Sequence, residues 1–227
     1  MTEQDPLSFI AKQLETKLSV KQVAYRNLCD VFEILEKEAH KVISQIRDRI
    51  TSCDEGIAME VVGENGQEFH MKIGGDLLVF IMHTNIITLD KEHGFNKSDH
   101  VAENTFRRYL GQINVYNFMV DSFKYNRLTD PGFLLARLFV NCDRHFMIEG
   151  ERQLGFMFDR VSEKPITDID LNMFIKLLIT QAIESDLIAP SFPEIRTISL
   201  HQKIEKTQAL GGGVKIGFQM KSKDEIS

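Results

Sequence analysis

The stretch from Leu28 to Ile50 constrains this chain most. Leu28, Phe32, Leu35, Ala39, Val42 and Ile46 recur at spacings of four, three, four, three and four. That is the rhythm of a helix with a narrow apolar seam, the kind that pairs with another helix. Between these positions lie Asp30, Glu33, Glu36, Lys37, Glu38, Lys41, Gln45 and Arg47, a mixed-charge solvated surface. The same heptad runs backwards through Tyr25, Leu18, Leu14, Ala11 and Leu7, with Lys21 as its one interruption. Asp5-Pro6 is a helix start, an N-cap acceptor followed by proline in the first turn. Ser19 to Gln22 reads as a capping box, so the pattern is either one helix from Pro6 to Thr51 or a short helix and a long one starting at Ser19. Unbroken, the helix would be ~69 Å long. A domain made from the rest would be only ~40 Å across. The helix then overhangs, and an overhanging apolar seam needs a partner. The expectation is a homodimer through residues 7–50, with Leu28, Phe32, Leu35, Ala39, Val42 and Ile46 at the interface. The competing arrangement lays the stripe on the chain's own sheet, which ordinarily takes a wider apolar face.

After Gly56 the period changes. Ile57–Val62 and Phe69–Ile73 are short apolar-rich runs joined through Asn65-Gly66, a strong hairpin signal. Gly74-Gly75-Asp76 makes the next turn, and Leu77–Met82 is continuously apolar, as in a strand buried on both faces. Ile86–Leu89 reads as extended. Ser98 or Asp99 caps a helix expected to reach Leu110 and to end at Gly111. Ile113–Val120 follows as a strand, then a turn at Asp130-Pro131-Gly132. Phe133–Val140, Arg144–Ile148 and Gln153–Phe158 read as three further strands. Thr167 opens an amphipathic helix bearing Leu171, Phe174, Ile175, Leu178, Ile179 and Ala182, which Pro190 and Pro193 stop. Gly211 to Gly213 precede a terminal strand at 214–220. Strands joined by hairpin-length turns, with helices before, between and after, make an α+β fold with a mainly antiparallel sheet. The expected organisation is a helical segment over 1–55, a sheet domain over 56–221 and a polar tail over 222–227.

The composition excludes little. With 27 Lys and Arg against 33 Asp and Glu, the net charge of −6 counts against general nucleic-acid binding. Cys29, Cys53 and Cys142 are sparse, odd in number and without a CxxC pair, which suits a reducing compartment. No secretory signal and no run of ~20 apolar residues is present, so no membrane partner is expected and the location read is cytoplasmic.

The richest polar cluster spans Asp90 to His100 and offers Asp90, Glu92, His93, Asp99 and His100. The candidate metal ligands are His93, Asp99 and His100, at a spacing that matches no closed motif. Asn141 to His145 places a thiol, a carboxylate and an imidazole together at Cys142, Asp143 and His145. Such a set makes a nucleophile only when the base is in reach, and a plain turn explains it as well. The glycine pairs fit neither a dinucleotide nor a P-loop pattern. Arg107-Arg108 is the only adjacent arginine pair and can face phosphate, an acidic partner or solvent. No catalytic residue and no cofactor is assigned. The function read from these residues is a non-enzymatic module that self-associates through its N-terminal helix and binds a protein or small ligand with its sheet domain. The alternatives are a metal-dependent hydrolase or nuclease using the 90–100 loop, and a nucleic-acid-associated factor.

Overall fold

A computed structural model describes residues 5–158, 160–189, 191–201, 203–204 and the backbone of 219–222. Helix α1 (Pro6–Gln13) starts where Asp5 accepts hydrogen bonds from the backbone N–H groups of Leu7 and Ser8. One π-helical turn (Leu14–Leu18) joins it without interruption to α2 (Ser19–Arg49). The hydroxyl of Thr16 donates to the Lys12 carbonyl at 2.6 Å and so competes for an acceptor of the α-helical ladder. Of the two options the long helix holds, and the possible break at Ser19 does not form. Ser19 is helical at φ −59° and ψ −47°, and the rod runs about 66 Å at ~1.5 Å per residue.

Six strands follow as an antiparallel meander: β1 (Met59–Gly63), β2 (Glu68–Ile73), β3 (Asp76–Met82), β4 (Leu110–Met119), β5 (Phe133–Asn141) and β6 (Phe146–Gly150), paired in chain order. The α+β class with a long N-terminal helix and an antiparallel sheet is therefore the fold. Gly66 at φ 76° and Gly74 at φ 58° supply the left-handed residues of the first two turns. Between β4 and β5 lies α4 (Val120–Lys124), and between β3 and β4 lies α3 (Asp99–Glu103). After β6 come α5 (Arg152–Phe158), α6 (Asp168–Ile183), β7 (Ser185–Ile188) and α7 (Phe192–Ile195). β8 (Gln219–Ser222) pairs antiparallel with β7 in a second, two-stranded sheet.

Helices α2 and α6 cover one face of the meander. Leu28, Phe32, Leu35, Ala39 and Val42 are at most 2 % exposed and share one core with Phe69, Phe80, Val115, Leu138 and Phe174. These positions, placed by pattern at an interchain seam, are thus occupied by the chain's own sheet and α6, with Ile46 packed at the margin. The physical reason is the width of the stripe. Ala24, Val31 and Ile43 are buried beside the heptad positions and broaden it into a face that a sheet can accept. The fit is close at Gly111, where a Cβ would lie 2.8 Å from the Cβ of Leu28. Phe32 meets Phe69 at 5.3 Å between ring centroids, and Phe69 stacks on Phe80 at 4.2 Å. Within the core, Glu38 accepts from Lys41 at 2.5 Å and from Asn172 of α6 at 2.8 Å. Burial pushes its carboxyl up, but those two donors outweigh burial and hold it below the usual range.

Other boundaries move for local reasons. The helix expected from Ser98 to Leu110 ends at Glu103, a 3-10 turn covers Thr105–Arg108, and Leu110 already opens β4. Gln153–Phe158 is helical rather than extended. α6 begins as expected, with Thr167 and Asp170 closing a capping box, and buries Leu171, Phe174, Ile175, Leu178, Ile179 and Ala182. It ends at Ile183, before the expected proline stop. Pro190, Gly211 to Gly213, the 214–218 part of the terminal strand and the tail beyond Ser222 lie outside the described residues. Among the described residues no helix is long and apolar enough to cross a membrane.

Candidate functional site

The chain between β3 and β4 makes a long excursion across the far face of the sheet. Phe95, Val101 and Leu110 form a second small core there with Phe139 and Met147. Ile87 and Leu110 exchange backbone hydrogen bonds at 2.8 and 2.9 Å, which fixes the excursion's incoming and outgoing arms to one another. Asn96 ties the middle down by donating to the carbonyls of Leu89 and Asp90. His93 Nδ1 accepts from the Phe95 N–H at 3.1 Å. The ring proton therefore sits on Nε2, which donates to Glu149 at 2.9 Å. Glu149 also accepts from Arg137.

Docked in this way, the 90–100 segment meets the β5–β6 turn. The two polar clusters that stand apart in sequence share one cleft of about 740 Å³. The turn is built around Asn141, whose Oδ1 accepts from the N–H groups of Asp143 and His145, both at 2.9 Å. Arg144 closes it at φ 63°. Asn27 of α2 donates to the carbonyls of Asn141 and Cys142 at 3.2 and 2.7 Å, anchoring the turn to the long helix.

Two imidazoles stack in the cleft, His100 over His145, with centroids 4.3 Å apart. The Asn141 amide nitrogen lies 2.8 Å from His100 Nε2, so that nitrogen accepts and the ring is neutral. Burial lowers the pKa of His100, and the neighbouring His145 and Arg107 lower it further against the opposing pull of Asp143 and Glu103. His145 Nδ1 donates to the Ser162 carbonyl at 2.8 Å. Its Nε2 has no hydrogen-bond partner among the described residues. Arg107 donates to Asp143, Glu103 and the His100 carbonyl at 2.7, 2.7 and 3.0 Å. Its charge is spent within the wall.

The Cys142 thiol faces Asp143 Oδ1 at 3.7 Å. Burial, and then the Asp143 carboxylate, push its pKa up to about 11. It is a protonated thiol at neutral pH and not an activated nucleophile. His145 hydrogen-bonds Ser162 and does not bond Cys142. The metal candidates are likewise committed elsewhere: His93 to Glu149 and Phe95, His100 to Asn141, with Asp99 alone on the rim. Among the described residues no three His, Cys, Asp or Glu side chains are grouped to hold a metal. What the cleft offers is a polar recess with one free imidazole acceptor, flanked by Arg160, Glu103 and Glu163. Ser162, and the place of Arg107 in this wall, are what sequence spacing did not flag. The adjacent arginines marked a charge but not its partners, and Ser162 carries no local signal, since each acts across the fold.

Compared with known proteins, the chain matches no family model, no curated protein and no solved structure.

Proposed function

We propose that this protein is a cytoplasmic, non-enzymatic interaction module. It self-associates through the free end of its N-terminal helix and uses its sheet domain to bind a partner. The observation that carries this reading is the division of one apolar stripe. From Ala24 to Ile43 the stripe is buried in the chain's own core. Ahead of it Leu7, Ile10, Leu14 and Leu18 are 74, 52, 55 and 44 % exposed on the same rod. An exposed row at helical spacing is costly to leave in water, and a second copy of the same row in a coiled-coil homodimer covers it symmetrically. The cleft supports a binding role over catalysis, since the thiol of the adjoining turn stays protonated and the cleft's Arg107 is neutralised. The free cysteines Cys29, Cys53 and Cys142 suit a reducing compartment.

The test is mass by light scattering at about 50 µM, where a dimer of ordinary affinity is populated. Wild type is expected to run as a dimer, and Leu7→Glu/Leu14→Glu as a monomer with unchanged helical circular dichroism. A monomeric wild type, or a dimer unmoved by the double substitution, would overturn the assignment.

A further inference from the structure

A second cleft, of about 560 Å³, lies where the excursion between β3 and β4 passes the N-terminal rod. Lys17 and Lys21 enter from the rod, Lys91 from the incoming arm and Arg108 from the outgoing arm. Among the described residues no Asp or Glu lines this cleft, although acids outnumber bases in the chain, 33 to 27. None of the four cations is in an ion pair with a described residue. The acids flanking Lys91 have other partners: Asp90 accepts from the Glu92 N–H, and Glu92 pairs with Lys97 at 2.7 Å. Tyr109 sets the spacing of the cations. Its ring is 4 % exposed, with Lys21 Nζ at 5.1 Å and Arg108 Cζ at 5.4 Å from its centroid. The two adjacent arginines thus have opposite fates: Arg107 is neutralised in the histidine cleft and Arg108 is presented in this one.

The wall between the cations is the arm Ile86 to Leu89, apolar at Ile86, Ile87 and Leu89. Ile87 spends its backbone groups on Leu110. Backbone groups alternate in direction along an extended segment, so those of Ile86 and Thr88 point away from β4. They have no hydrogen-bond partner among the described residues. A segment bridged to β4 at Ile87 alone, with the backbone groups on either side of it open, an apolar wall and four cations outside any ion pair among the described residues describe a seat for an extended, acidic peptide.

We infer that this cleft binds an acidic, extended segment of a partner protein that alternates carboxylate and apolar side chains. The segment adds a strand along 86–89 and sets its carboxylates against Lys17, Lys21, Lys91 and Arg108. Single-stranded nucleic acid fits less well. It wants exposed aromatic faces for base stacking, and both faces of Tyr109 are closed. This inference names the partner chemistry of the sheet domain and rests on the interaction-module reading above.

Binding is measured by fluorescence anisotropy with three labelled probes, each of about ten units to span the arm: an alternating Glu/Val peptide, an alternating Lys/Val peptide and oligothymidylate. The Glu/Val peptide is expected to bind full-length protein and to weaken as salt rises from about 50 to 300 mM. It should weaken at least ~10-fold in Lys21→Glu/Arg108→Glu and in the separate pair Lys17→Glu/Lys91→Glu. Two pairs guard against one of them disturbing the fold, which thermal melts check. The Lys/Val peptide is expected not to bind. Absent Glu/Val binding, binding indifferent to both pairs in folded protein, or oligothymidylate binding as tightly would each overturn the inference. Leu7→Glu/Leu14→Glu separates the two readings: it should abolish the dimer and leave peptide binding intact. Peptide binding lost with the dimer would place the peptide in the dimer interface and sink the cleft assignment.

Discussion

Gly111 is where the packing of the long helix on the sheet is most exposed to test. A Cβ built there lies 2.8, 2.9 and 3.0 Å from Cβ, Cδ2 and Cδ1 of Leu28. Carbon atoms prefer about 3.5–4.0 Å, so Gly111→Ala forces α2 and β4 apart by several tenths of an ångström. Leu28 is fully buried and its neighbours Val31, Phe32 and Leu35 are at most 2 % exposed, so no loose region absorbs the shift. Overpacking of a tight core costs about 1–3 kcal/mol. For a chain of this size that lowers the melting temperature by about 2–12 °C, at ~2–4 °C per kcal/mol. Leu28→Ala alone should cost about 2–5 kcal/mol through the cavity it leaves. In the double variant the two Cδ contacts vanish, so the summed cost should be undershot by at least about 0.5 kcal/mol. Urea unfolding followed by circular dichroism, at two protein concentrations, reads all four corners of this cycle. The coupling should be the same at both concentrations, because Leu28 and Gly111 belong to one chain. Gly111→Ala melting like wild type, or two costs that simply add, would refute the close approach and with it the intramolecular seat of the seam.

Asp76 lies at the start of β3 and accepts from Asn117 at 2.8 Å. Burial raises its pKa, partly offset by Asn117 and reinforced by Asp186. A raised carboxyl favours the folded state while protonated, and that contribution is lost as pH climbs from the ordinary Asp range through the raised value. Asp76→Asn should therefore raise the melting temperature at pH 7 and give no gain near pH 3; a loss at pH 7 would contradict the burial argument. Cys142, with its thiol near 11, is under about one part in a thousand thiolate at pH 7.5. Iodoacetamide followed by peptide mass mapping should modify exposed Cys53 well before Cys142; equal rates would show that the turn does not shield the thiol.

Local chemistry was legible in the sequence, and tertiary docking was not. The Asn65-Gly66 hairpin and the helix opening at Thr167 depend on residues within four positions of each other, and both stand where the pattern puts them. Gln153–Phe158 misled because Leu154, Phe156 and Phe158 alternate like a strand. Phe156 is 88 % exposed and Leu154 alone is buried, so the alternation did not reflect two faces of a sheet. Arg152 at φ 53° turns the chain back on itself. Gly155 then sits so near the Gly150 carbonyl that a Cβ would be 2.5 Å from its oxygen. The histidine cleft was unreadable for a different reason. His100 and His145 meet only because Phe95 and Val101 find Phe139 and Met147 across the sheet, a contact with no periodic signature.

Lys21 sits where the buried and exposed parts of the long helix meet. It is the one charged residue at a seam position of the N-terminal heptad, and by pattern alone it is a weak point. In the fold it marks the place where the rod leaves the sheet. Ala24 and Leu28, one turn and two turns on, are fully buried, whereas Leu18 and Leu14 behind it are 44 and 55 % exposed. Between the two regimes the neighbour of the seam is the ring of Tyr109. A lysine satisfies that position because its stem can lie along apolar surface while its ammonium group meets the π-face of an aromatic ring. A leucine there would extend the buried stripe and remove a cation from the second cleft. The interruption of the heptad is thus the boundary between the part of the helix that builds the core and the part left to meet other molecules.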